Sequence, residues 1–250
     1  MADTLYLSLW YPNLRLEALA DKLTAVLGAF AAHGGEPRVY AATVWPLSWR
    51  ESPVFERVYG RDGGVGLGAG LGAEPGLAVE EALELLHEDC AYEFQIGWSL
   101  WELESSHGNA DPLRQAQGGL LAAPSPSRRS GSGFAQDDSS MRLDPRWVRE
   151  PRLVRVTGYG PLFDEGAYEA DGHIRIDFGS DEPFLEEEAE LDSVAARRVE
   201  ENVRQLVALT AAVEKASGAT ARLLWSELGE SLAQRLAARL WRFPKVSGPC

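Results

Sequence analysis

Residues 91–101 read Ala-Tyr-Glu-Phe-Gln-Ile-Gly-Trp-Ser-Leu-Trp. Tyr92, Phe94, Ile96, Trp98 and Leu100 fall on one side, and Glu93, Gln95, Gly97, Ser99 and Trp101 on the other. A period of two over this length is a strand with one dry and one wet face. Sheets of that kind are usually antiparallel and covered by helices on one side only. The wet face then becomes a candidate working surface.

Other segments repeat the signal. Residues 4–11 alternate Leu5, Leu7 and Leu9 with Tyr6, Ser8 and Trp10, and Pro12 stops the run. Residues 38–45, 152–159 and 173–178 read as further strands. Leu16, Leu19, Leu23, Val26 and Phe30 recur at helical spacing until Gly34-Gly35. A short helix is expected from Ser52-Pro53 through Tyr59, and another over 77–87. Residues 193–217 carry the clearest helical stripe, Val199, Val203, Leu206, Thr210 and Val213, with Ser193 as the expected cap and Gly218 at the end. Residues 219–227 fit strand or helix equally, and Trp225 is read there as core. A last helix is expected after Ser231. The fold class is therefore α+β: a mostly antiparallel sheet of five or more strands with helices packed on one side. The expected organisation is one domain over residues 1–250, with a disordered insertion at 105–140, where Ser, Gly, Pro, Ala and Gln dominate.

Composition excludes several functions. The 250 residues are 45% hydrophobic and 25% charged, enough apolar material for a sizeable core. The formal net charge of −14 opposes a phosphate-binding surface, so no nucleic acid is expected as partner. It also opposes docking on anionic lipid, and no apolar run approaches bilayer length, so no membrane partner is expected. Two cysteines without a Cys-x-x-Cys spacing, and a start lacking a basic-then-apolar leader, point to a reduced, cytoplasmic setting.

Motifs for chemistry are weak. Gly68-Ala69-Gly70-Leu71-Gly72-Ala73 loosely matches a dinucleotide turn but does not follow a strand or open a helix, so no cofactor is expected. His87-Glu88-Asp89-Cys90 concentrates ligand types at consecutive positions, which diverge on any regular backbone, so no metal is expected. Residues 181–192 hold seven carboxylates, a candidate patch for steering a basic partner.

With the strands in phase, Tyr6, Trp10, Trp101, Arg155 and Arg175 are expected together on the wet face, as anchors of the type that dominates interfaces. The resulting expectation is a non-catalytic protein that binds another macromolecule, a protein and in particular a basic one. Small size, acidity and no catalytic motif would also suit a toxin-neutralising immunity protein, an analogy of class alone. A second reading is a hydrolase-type enzyme centred on His173 with Asp177 or Glu93, although residues four apart on a strand stand about 13 Å from each other. A third is a small-ligand binder closed by the 105–140 segment.

Overall fold

The computed structural model describes residues 3–59, 72–103, 147–185, 192–227 and 235. The alternation in the diagnostic stretch folds as β4 (Cys90–Leu103), the longest strand. It lies in a seven-stranded sheet with β1 (Thr4–Trp10), β2 (Gly35–Pro46), β3 (Phe55–Val58), β5 (Trp147–Tyr159), β6 (Ile174–Ser180) and β7 (Ala221–Ser226). The order across the sheet is β3-β2-β4-β5-β6-β1-β7, and every neighbouring pair is antiparallel. The molecule is α+β, as the alternating strands imply.

One face of this sheet is the core. Leu5, Leu7, Leu9, Phe94, Ile96, Trp98, Val154, Val156, Ile174 and Ile176 are fully buried on it. Each such side chain removed from water stabilises the fold by about 1.5–3 kcal/mol before entropy is counted. Trp98 is the centre, with Phe178 at 5.2 Å and Phe184 at 5.9 Å between ring centroids, and its indole N–H donates to the His33 carbonyl.

The covering layer comprises α1 (Leu19–Ala31), α2 (Pro75–Leu83) and α5 (Ser193–Ser217), which share one core cluster with the sheet through Leu23, Phe30, Val79, Val203 and Leu206. Two four-residue turns, α3 (Ala167–Ala170) and α4 (Glu182–Leu185), flank β6. Gly158 lets α1 settle onto β5, because a Cβ there would stand 3.0 Å from a Leu23 methyl and 3.1 Å from a Leu19 methyl. Asp192, rather than Ser193, caps α5, its carboxylate accepting from the Val194 and Ala195 N–H groups, and Gly218 closes the helix in the left-handed conformation.

Two local readings need correction, and one left open is resolved. The segment from Ser52-Pro53 to Tyr59 is not a helix. Val54 N–H donates to the Val44 carbonyl and the chain continues as β3 against β2. Residues 219–227 resolve as the edge strand β7, because β1 offers it six residues of antiparallel register. Trp225 therefore leaves the core and joins the opposite face, directly across from Tyr6. The expected insertion at 105–140 and the helix after Ser231 lie outside the described residues.

Candidate functional site

Among the described residues, the three long helices share one side of the sheet, and the other side is built by strand residues together with the loops after β2 and β5 and the short α3. Register places its side chains in rows running across the strands. The first row is Trp225, Tyr6, Asp177, Arg155 and Gln95. The second is Leu223, Ser8, Arg175, Thr157, Glu93 and Thr43. The third places Trp10 next to Ala221, and Tyr159, Ala91 and Trp45 side by side.

Charges alternate between the first two rows. Arg155 pairs with Asp177 at 2.6 Å, and its side chain remains 53% exposed. Arg175 pairs with Asp171 and lies over the rings of Tyr6, at 5.3 Å, and Tyr159, at 5.6 Å. Glu93 sits between the buried Thr43 and Thr157. Loss of hydration holds its carboxyl above the ordinary range, opposed by the positive charges of Arg155 and Arg175. Burial pulls the Arg155 pKa down, but Asp177 and Glu93 together outweigh it and raise the pKa, so its guanidinium stays charged.

Aromatic rings form the flank. Tyr6 stacks on Trp225 at 4.7 Å, and the Trp225 indole N–H donates to the Ser8 hydroxyl at 3.0 Å. The Tyr6 hydroxyl donates to Glu227, and burial together with that bond pushes its pKa up to about 12. Leu223 beside it is 52% exposed. At the third row a second apolar cluster forms on this same side, with Tyr159 and Phe163 buried against Trp45 and Trp49. Phe163 comes from the loop after β5, which the Gly160, Leu162 and Asp164 N–H groups tie to the Cys90, Glu88 and Leu47 carbonyls. Gly160 is needed there, since a Cβ would fall 2.4 Å from the Glu88 oxygen.

Of the five expected anchors, Tyr6, Arg155 and Arg175 are brought together in adjacent rows. Trp10 stands at the third row, its indole N–H on the Glu169 carbonyl. Trp101 is set apart. It lies six residues beyond Gln95 along β4, about 20 Å at the usual strand rise. There the guanidinium of Arg198, from α5, covers its ring at 3.6 Å. The reason is an interruption in the sheet. β2 pairs with β4 only as far as Gly35↔Trp98, and α5 takes over the freed edge. Trp225, read from the sequence as core, and Leu223, assigned to no face, complete the surface instead. Their signal was β1, whose outward residues needed a partner strand.

His173, Asp177 and Glu93 are not assembled as a proton relay. His173 is buried, stacks on Tyr168 at 4.0 Å, and its Nδ1 accepts from the Tyr11 backbone N–H at 3.1 Å. Burial lowers its pKa, so the ring is neutral with its proton on Nε2. Asp177 is engaged by Arg155 and by the Gly179 N–H. At the start of β4, Asp89 lies within 2.6 Å of His87 and 3.6 Å of Cys90, but burial and that carboxylate push the Cys90 thiol up to about 11. A thiol so far from ionising is a poor nucleophile. Among the described residues no group of three or more His, Cys, Asp and Glu side chains is placed to hold a metal ion.

The acidic stretch at 181–192 is divided by the fold. Asp181 is buried, accepting from the Asp3 N–H and from Arg235, and Asp192 is spent as a helix cap. Residues 186–191 lie outside the described residues, as does the 105–140 segment on which a closed ligand site would depend. No described helix is long and apolar enough to cross a membrane.

Comparison of the chain with models of known protein families, with curated proteins and with solved structures gives no match.

Proposed function

We propose that this chain is a non-catalytic protein-binding module that docks through the sheet face opposite α1, α2 and α5. The observation that carries the reading is the juxtaposition of the exposed Arg155 guanidinium with the Tyr6–Trp225 stack and the exposed Leu223. Aromatic rings and arginine bring large contact area at low entropy cost, and a leucine beside them supplies an apolar centre. Arg155, Asp177, Arg175 and Glu93 alternate in sign, so a partner must match a pattern rather than a net charge. Such a pattern favours specific recognition of a protein over bulk electrostatic capture. A buried free thiol at Cys90 suits a reducing, cytoplasmic setting.

The test is quantitative capture of partner from the protein's native cells by wild type and by Arg155→Ala/Leu223→Ser. Both side chains are more than half exposed, so the melting temperature stays near that of wild type. Retained partner should fall at least ~10-fold, the loss of more than about 1 kcal/mol expected of an anchor. Undiminished capture by the folded variant would refute the proposal.

A further inference from the structure

The helical layer, on the other side of the molecule, carries an open groove between α1 and α2. Its floor is apolar and low: Ala20 and Thr24 on α1 face Val79 and Leu83 on α2, with Leu86 beyond the helix end. Both helices sink into the core, α1 through Leu23, Val26 and Phe30 and α2 through Ala78, Val79 and Ala82, so that Val79 closes the bottom of the groove. Ala20, Thr24 and Gly76 are the small residues of its lining, and Leu83 and Leu86 the larger apolar ones.

The groove's charge has one sign. Asp21, Glu80 and Glu84 line it, and among the described residues no Lys or Arg does. The nearest cation on α1, Lys22, turns the other way and donates to the Ser217 carbonyl at 2.7 Å. Asp21, Glu80 and Glu84 take part in none of the ion pairs found among the described residues.

The geometry points to a helix-in-groove docking site for a partner's basic amphipathic helix, lying against α1 and α2 with its apolar stripe down and its Lys and Arg side chains over the acidic rim. Two helices packed side by side present a trough that a third fills at the usual interaxial distance of about 8–10 Å. The trough is open along its length, which suits a rod and not an enclosed small molecule. A second copy of this chain is the poorer occupant. A two-fold contact would set the same three carboxylates against themselves, on molecules of net charge −14.

The probe is a synthetic peptide of about 14 residues with leucines at i, i+3, i+4 and i+7 and lysines elsewhere, measured by fluorescence anisotropy beside a peptide of the same composition with the pattern scrambled. Wild type should bind the patterned peptide at least ~10-fold tighter than the scrambled one, because only the former offers an apolar stripe. Glu80→Lys/Glu84→Lys should weaken that binding roughly 10-fold or more, and Thr24→Arg, which fills the floor, should do likewise. Arg155→Ala/Leu223→Ser should bind as wild type, which separates this groove from the sheet face. Equal affinity for the two peptides would reduce the effect to bulk charge attraction and overturn the inference. So would binding that survives both groove variants, or no binding. A wild-type dimer in sedimentation that Glu80→Lys/Glu84→Lys dissolves would assign the groove to a second copy and also overturn it.

Discussion

Leu47 carries a backbone angle that leucine avoids, with φ at +59°, and its side chain is 57% exposed. Three backbone bonds hold it there: its N–H donates to the Asp89 carbonyl, and its carbonyl accepts from Asp164, while Ser48 N–H closes on Pro46. The conformation costs a side-chain-bearing residue about 1–2 kcal/mol, and little burial is recovered in exchange. Leu47→Gly should therefore raise unfolding stability by about 1 kcal/mol, measured by urea denaturation. A loss of stability would show that the exposed leucine contributes packing beyond its surface area. His173 makes a second residue-scale prediction, in pH. Burial lowers its folded pKa below the ordinary 6.5 of the unfolded chain, against an opposing pull from Glu169. The stability linked to it is whole above about 6.5 and is lost as pH falls through the folded value. Glu93 and Glu102, with raised pKa values, contribute with the opposite sign on acidification, so the comparison must be made between variants. His173→Asn keeps an acceptor for the Tyr11 N–H and removes the titration. It should lose less stability than wild type between pH 7 and pH 5, and parallel curves would contradict the assignment.

At the scale of elements, α5 does more than cover the core. Asn202 is fully buried and accepts from the Trp101 N–H at 2.9 Å while donating to the Trp101 and Pro183 carbonyls. Gln205 donates to the Ser99 and His33 carbonyls. Together they hydrogen-bond the stretch of β4 that β2 leaves unpaired. Asn202→Leu would strand three backbone groups, the Trp101 N–H and carbonyl, both part-buried, and the buried Pro183 carbonyl, and should cost about 3 kcal/mol in chemical denaturation. A cost under about 0.5 kcal/mol would mean that water reaches that edge. These contacts explain what the sequence could and could not reveal. β4, β1 and α5 announce themselves because one face of each is buried over many residues, and burial imposes period. β3 offers only Phe55 to Val58, too short to separate a strand from a helical turn. β7 runs Leu223-Leu224-Trp225 without alternation, because its edge position relaxes the demand for polar residues on one side. Asn202 and Gln205 break an apolar stripe, so periodicity passes over them. Their role depends on where β2 stops, which is set by tertiary pairing.

For the whole molecule, helices gathered on one side leave two surfaces of different character. The sheet face mixes signs and stacks aromatics, whereas the helical groove is apolar with an acidic rim. The phase of the strands was enough to place Tyr6, Arg155 and Arg175 in one neighbourhood. It missed Trp101, which the α5 crossing hides, and Trp225, which an unassigned strand supplied. Docking through the sheet face requires that face to touch a partner directly. The most direct measurement is photocrosslinking in the native cells, with p-benzoylphenylalanine replacing Leu223 on the sheet face or, as a control, the exposed Val207 on α5. A single adduct of defined mass from position 223, lost on adding Arg155→Ala and absent from position 207, is the predicted result. No adduct at 223, or the same adducts from both positions, would contradict it.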